Sequence, residues 1–90
     1  MRVALICKDK PNHLELRKSN RDAHRAHIKE SGIVEAAGPF LDSNGQMSGS
    51  LIILSVDTMA QAKIWAETDP YAIAGIFEEV ELQIWDKVVG

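Results

Sequence analysis

The stretch Ser50–Val56, with the sequence SLIILSV, decides the fold because it predicts a strand that is apolar on both faces. Successive side chains of a strand point to opposite faces of its sheet. Leu51 and Ile53 therefore point to one face. The other face carries three more apolar residues, Ile52, Leu54 and Val56. A strand of this kind belongs inside a sheet, where both faces are covered.

A second strand with two apolar faces is predicted at Arg2–Cys7. Its alternating apolar residues are Val3, Leu5 and Cys7 on one face and Ala4 and Ile6 on the other. A further strand is predicted at Ile33–Ala37, where Gly38 and Pro39 follow and end it. The last strand, Phe77–Trp85, alternates apolar with acidic or amide residues, so it suits an edge of the sheet with one dry face.

Two helices are predicted between these strands. The first covers Leu14–Ser31 and is weakly amphipathic, with Gly32 as its stop signal. The second covers Thr58–Thr68, and Thr58 with Gln61 fits a capping box at its start. Its apolar stripe consists of Met59, Ala62, Trp65 and Ala66.

The connections are marked by polar residues, glycine and proline. Leu41–Gly49 is rich in Asp, Ser, Asn and Gly, which predicts a loop between the second and third strands. Asp69 and Pro70 break the chain after the second helix. Tyr71–Gly75 is then predicted to be a short turn or a loose helical turn.

The resulting order, β-α-β-β-α-β, predicts one α+β domain over residues 1–90 with a ferredoxin-like fold. Its four-stranded antiparallel sheet would have the first and third strands at the centre and two helices on one face. No further element remains to cover the other face, although both central strands are apolar there. We therefore expect at least one second copy of the chain to pack sheet to sheet.

The composition is that of an ordinary globular protein, with 46% hydrophobic and 26% charged residues. The net charge of −3 argues against general binding to nucleic acid or to a membrane surface, although Arg17, Lys18, Arg21 and Arg25 cluster in the first helix. No apolar run approaches the length of a membrane span. The lone Cys7 is expected to be a reduced strand residue of a cytoplasmic protein.

The three histidines do not form a convincing metal site. His24 and His27 are three residues apart and so neighbours on one helix face, but no third ligand follows at a suitable spacing. We therefore expect no metal. His13, which precedes the first helix, is expected to be solvated or to cap that helix.

His24 is the candidate acid or base, because an unperturbed imidazole exchanges protons near neutral pH. A catalytic histidine needs a carboxylate to fix its tautomer, and Asp69 is one candidate. Asp69 follows a helix, where a negative charge is disfavoured, but it can cap the next turn with Pro70 in the first position. The residues alone favour the capping role over the catalytic one.

Other candidate ligand contacts lie at strand ends and on the first helix. Gly49 and Ser50 are either a plain turn or an opening that lets backbone and the Ser50 hydroxyl approach a small ligand. Arg21 lies one helical turn before His24 and is either a surface residue or a partner for a substrate carboxylate.

Four short motifs in this order resemble those of the YciI-like family, and the resemblance covers nearly the whole chain. They are Arg-x-x-His at 21–24, Ala-Gly-Pro at 37–39, Gly-Ser at 49–50 and Asp-Pro-Tyr at 69–71. The resemblance implies membership of the dimeric α/β barrel superfamily, in which two ferredoxin-like domains pack sheet to sheet. That assembly agrees with the two-faced central strands.

The resemblance also implies that His24 and Asp69 form a catalytic dyad. It points to a small cofactor-independent enzyme that removes or transfers a proton near a carbonyl, as in dehydrochlorination or isomerisation of a lactone. Expected contacts of its small-molecule substrate are Arg21, Pro39, Phe40, Ser50 and Tyr71. The alternative is a non-catalytic module of the same fold that binds a small ligand or only oligomerises.

Overall fold

The computed structural model covers residues 1–90 and contains four strands and four short helices. The strands are β1 (Arg2–Asp9), β2 (Val34–Leu41), β3 (Met47–Ser55) and β4 (Phe77–Trp85). The helices are α1 (Leu14–Ser19), α2 (Arg21–Ser31), α3 (Met59–Thr68) and α4 (Pro70–Ile73). None of the helices has the length and apolar character needed to cross a bilayer.

The four strands form one antiparallel sheet in the order β2-β3-β1-β4. The two strands with apolar residues on both faces are central, as their patterns predict. The register places Leu5 opposite Ile52 and Val3 opposite Leu54, so the buried residues of β1 and β3 share one face. The predicted α+β, ferredoxin-like fold is confirmed.

The first predicted helix is wrong in one respect, because it is divided into α1 and α2 at Asn20. The Asn20 side chain donates to the Leu16 carbonyl, and its backbone N–H bonds to carbonyls of the same turn. The Asn20 carbonyl in turn accepts the bond from His24 N–H that begins the second helix. Asparagine favours such local bonds over an uninterrupted helix, which explains the break.

The second and third strands are longer than predicted. β2 continues through Gly38 and Pro39 to Leu41, and β3 already begins at Met47. Pro39 is tolerated because β2 is an edge strand. The predicted loop therefore shrinks to residues 42–46, where the Asp42 carboxylate accepts from two backbone N–H groups.

The second predicted helix corresponds to α3, and its N-terminal cap is Thr58. The Thr58 hydroxyl accepts from Gln61 N–H, as in a capping box. In a capping box the Gln61 side chain would accept from the N–H of Thr58. Here it accepts instead from the N–H of Asp57, one residue earlier in the chain. The turn predicted after Pro70 is the short helix α4.

The core lies between the helices and one face of the sheet. It combines Val3, Leu5, Cys7, Ile52, Leu54 and Val56 of the sheet side with Ala62, Trp65 and Ala66 of α3. The prediction of a dry face for β4 holds only for Leu82, because Val80 and Ile84 remain 44% and 67% exposed. The helices leave most of this edge strand uncovered.

Core packing makes a direct stability prediction for Leu54, which is fully buried. Leu54→Ala is expected to lower the free energy of unfolding by about 2–5 kcal/mol, because it removes buried methyl groups and leaves a cavity. Ile64→Ala on α3 is the control, since Ile64 is 61% exposed and should cost less than about 0.5 kcal/mol. Equal losses in denaturant unfolding would contradict this assignment of the core.

Candidate active site

A cavity of about 290 Å³ opens between the first two helices and the β2-β3 side of the sheet. Its polar wall consists of Arg17, Arg21, His24, Arg25, Ser50 and Tyr71. The apolar part of the wall includes Ile28, Ala37, Pro39 and Ile52. The size suits a small molecule, and the cavity combines an apolar surface with a few converging polar groups.

His24 lines this cavity and contacts Asp69, which is fully buried and lies 45 positions away in the chain. The His24 Nδ1 lies 2.8 Å from the Asp69 Oδ1, and both side chains are buried. Because the carboxylate is the acceptor, Nδ1 carries the proton in this pair, and the neutral ring keeps its lone pair on Nε2. Nε2 has no hydrogen-bond partner in the chain, so it is free to act on a ligand.

Asp69 also caps α4, so both roles weighed from the sequence occur in the geometry. Its Oδ1 accepts from Tyr71 N–H at 3.0 Å, and Pro70 occupies the first position of the helix. Its Oδ2 is buried without a hydrogen-bond partner. The same Oδ1 accepts from Tyr71 N–H and from the His24 ring. The hydrogen bond that caps α4 therefore also orients the carboxylate toward His24.

Tyr71 fixes the plane of the His24 ring. The two rings stack with centroids 3.9 Å apart and an angle of 10° between their planes. The Arg17 guanidinium lies 4.7 Å from the centroid of the same tyrosine ring. Burial raises the pKa of the Tyr71 hydroxyl, and the nearby positive charges of Arg17 and Arg21 oppose that rise.

Arg17 is the functional candidate that sequence reasoning missed. It is 2% exposed, and its Nη1 donates to both oxygens of Asp9 at 2.9 and 3.0 Å. Its Nη2 donates to the Ser50 Oγ at 2.5 Å, while its Nε is buried without a partner. The available signal was the spacing of Arg17, Arg21, His24 and Ile28, which falls on one helix face.

Four of the five predicted substrate contacts line the cavity beside His24, namely Arg21, Pro39, Ser50 and Tyr71. Phe40 does not, because neighbouring residues of a strand point to opposite faces and Pro39 already faces the cavity. Gly49 is required next to Ser50, since a side chain there would collide with the Cys7 carbonyl oxygen.

The remaining histidines and the cysteine lie outside this wall. The His27 Nε2 bonds to the Trp65 carbonyl at 3.1 Å, and the His13 Nδ1 bonds to the Pro11 carbonyl at 2.7 Å. His13 is the N-cap residue of α1, but its side chain makes no capping hydrogen bond; its backbone carbonyl accepts from Arg17 N–H at 2.9 Å. Burial raises the pKa of Cys7 to about 12, which keeps the thiol protonated at neutral pH. No three His, Cys, Asp or Glu residues group closely enough to hold a metal ion.

The cavity wall is electropositive. None of its lining residues is acidic, and neither Arg21 nor Arg25 is within 4.0 Å of a carboxylate. Arg17 is neutralised by Asp9 behind the wall. The free guanidinium groups favour an anionic ligand over a cationic one.

Comparison with known proteins identifies relatives along almost the full chain. A model of the YCII-related domain matches residues 1–86. The YciI proteins of Escherichia coli and Shigella flexneri are each 34% identical over 97 residues, covering 98% of this chain and 99% of theirs.

Among solved structures, the 5-chloro-2-hydroxyhydroquinone dehydrochlorinase TftG of Burkholderia phenoliruptrix, in complex with 2,5-dihydroxybenzoquinone, is similar with a TM-score of 0.89. It is 26% identical, and the match covers 96% of this chain and 94% of TftG. An antibiotic biosynthesis monooxygenase shares the fold alone, with a TM-score of 0.57 and 13% identity over 96% of this chain and 98% of its own.

Proposed function

The chain belongs to the YCII-related family, and we propose that it is a small cofactor-independent enzyme that transfers a proton on a small carbonyl or lactone-type substrate. The observation that carries the proposal is the buried His24–Asp69 contact, which leaves Nε2 of His24 free at a cavity of about 290 Å³. A second supporting observation is the similarity to TftG, a dehydrochlorinase.

In the proposed reaction His24 Nε2 takes a proton from a carbon next to a carbonyl group. The electron pair of the broken C–H bond moves toward the carbonyl oxygen and forms an enolate. The enolate then either expels a leaving group such as chloride or takes a proton back at another carbon. Asp69 holds the Nδ1 proton throughout and balances the charge of the imidazolium.

The substrate oxygen and any acidic group need partners on the same wall. Ser50 would bind the oxygen, and Arg21 would bind a carboxylate or enolate, since its guanidinium is not in an ion pair. The stacked Tyr71 would keep the imidazole aligned while its charge changes. The ligand held by TftG, 2,5-dihydroxybenzoquinone, is a small cyclic carbonyl compound and supports this class for the present chain.

The test is exchange of substrate C–H protons with solvent. A panel of small lactones and carbonyl acids is incubated with the protein in D₂O and followed by ¹H NMR. We expect at least one compound to lose a signal next to its carbonyl only when the protein is present. Binding without exchange throughout the panel would favour the alternative of a ligand-binding module, which shares the fold and the cavity.

We also propose that two copies pack through the open face of the sheet, where Leu51 and Phe40 are 37% and 41% exposed. The register places Ala4 and Ile53 on the same face, although neighbouring side chains leave them only 6% and 8% exposed, and the helix α3 packs on the opposite face. Light scattering at micromolar concentration should then give at least twice the chain mass of 9.9 kDa.

Leu51→Glu should shift this mass toward the monomer, because it places a charge in the centre of the proposed contact. Ile64→Glu on α3 is the matched control, since Ile64 is exposed on the helical side. A wild-type protein that stays monomeric at high concentration would rule out the dimer.

A further inference from the structure

The Ser50 hydroxyl is a hydrogen-bond donor without an acceptor in the chain. Its Oγ accepts from Arg17 Nη2 at 2.5 Å and makes no other hydrogen bond. A serine hydroxyl has one proton to donate and two lone pairs. A guanidinium only donates, so its contact uses a lone pair of Ser50 and leaves the Ser50 proton free. Ser50 is 2% exposed and lines the cavity, where that proton can be used.

The arrangement behind Ser50 is rigid. Asp9 accepts from Arg17 through both of its oxygens, and the two side chains are 8% and 3% exposed. The guanidinium also lies against the Tyr71 ring. Arginine stays protonated in proteins and has no acceptor atom. Arg17 therefore remains the donor to Ser50 when a ligand binds. The Ser50 hydroxyl ends this unit with a donor proton that is not already used within the chain.

We propose that Arg17, held by Asp9, is a positioning residue that makes the Ser50 hydroxyl a dedicated donor to an anionic oxygen of the ligand. This inference rests on the proposed function and deepens it by naming the ligand chemistry: a small cyclic acid whose oxygen carries negative charge as an enolate. The positive charge of Arg17 strengthens the Ser50 donor, since hydrogen bonds coupled to charged groups are stronger than neutral ones.

The rest of the wall fits the same ligand. Arg21 and Arg25 offer further donors and positive charge, with no carboxylate of the chain to satisfy them. His24 Nε2 is the basic group of the wall. A ring with its carbonyl oxygen at Ser50 would therefore present a neighbouring carbon to the base. The oxygen gains charge as the proton leaves, so the Ser50 donor acts where charge develops.

The experiment measures binding, so its result is independent of turnover. The probe is 2,5-dihydroxybenzoquinone, the small acidic quinone that TftG binds, and 1,4-hydroquinone is the uncharged comparison. Titration calorimetry should show the acid binding to the wild-type protein. Ser50→Ala should weaken this binding by about 10- to 100-fold, the loss of a hydrogen bond to a charged acceptor. Its effect on 1,4-hydroquinone should be less than about threefold.

Arg17→Lys keeps the charge beside Asp9 but loses the fork that reaches Ser50. Arg17→Lys should weaken binding of the acid about as much as Ser50→Ala does. The double variant should bind the acid with about the same affinity as either single variant. That non-additivity identifies an effect transmitted through Ser50. Additive losses, or equal losses for the acid and 1,4-hydroquinone, would overturn the proposal, as would no binding of the acid to the wild type.

Folding is controlled separately. Melting temperatures report whether Arg17→Lys disturbs the buried pair with Asp9, and Ser50→Thr keeps a hydroxyl without touching that pair. If the Arg17 variant does not fold, Ser50→Thr must retain more affinity for the acid than Ser50→Ala, or the proposal fails. Ser19→Ala is the matched control, because the exposed Ser19 hydroxyl donates to the Leu16 carbonyl, accepts from the Asn20 side chain and does not line the cavity. A wild type that binds the acid but exchanges no protons would reject the proposed enzyme and leave the Ser50 assignment standing.

Discussion

Replacing His24 by asparagine is expected to lower turnover by about 10²–10⁴-fold, the usual contribution of general-base catalysis. Asparagine is similar in size and can still donate a hydrogen bond to Asp69 Oδ1, so the buried carboxylate keeps a partner. It has no basic nitrogen to accept a proton from the substrate. The rate is measured with any compound that the D₂O panel identifies, alongside the melting temperature.

The matched control for this variant is His27→Asn on the same helix. The His27 ring bonds to the Trp65 carbonyl and does not line the cavity. We therefore expect its turnover to stay near that of the wild type, with at most a small loss of stability. Unchanged turnover in His24→Asn would end the assignment of His24 as the base.

Replacing Asp69 by asparagine is expected to lower turnover by up to about 10⁴-fold, the loss seen for the same change in a Ser-His-Asp triad. The amide cannot balance the imidazolium charge, and it can also favour the other tautomer of His24. Its oxygen can still accept from Tyr71 N–H, so the cap of α4 survives. The melting temperature of this variant should therefore change little compared with its activity.

Asp69→Ala removes the cap and the contact with His24 together. We expect a loss of about 0.5–2 kcal/mol in the free energy of unfolding from the missing cap, in addition to the loss of turnover. A residue that only caps α4 would behave differently. Asp69→Asn would then be silent in activity, and only Asp69→Ala would have an effect, on stability.

The sheet could be predicted from the sequence because strand periodicity is a local property. The alternation within Ser50–Val56 places Ile52 and Leu54 on the covered face and Leu51 on the open one, and the register agrees. The break at Asn20 was not predicted, since both flanking segments favour helix and a side-chain bond decides between them. Pro39 was misread as a strand end because the edge position that tolerates it depends on the whole sheet.

The site was less accessible to physical reasoning from residues alone. Helix capping is local and was visible at Asp69, whereas its contact with His24 joins elements 45 positions apart. The ordered family motifs supplied that pair. Arg17 was missed because a buried arginine is rare and needs a buried partner. That partner, Asp9, lies at the end of β1, where a carboxylate is usually solvated.

Solvent exchange at the substrate carbon is the most direct measurement of proton transfer by His24. A responsive lactone or carbonyl acid is incubated in D₂O with equal concentrations of wild type, His24→Asn and His27→Asn, and loss of the C–H signal is followed by ¹H NMR. We predict rapid exchange with the wild type and His27→Asn and exchange slower by about 10²–10⁴-fold with His24→Asn. Equal exchange rates for the wild type and a folded His24→Asn would contradict the role of His24 as the base.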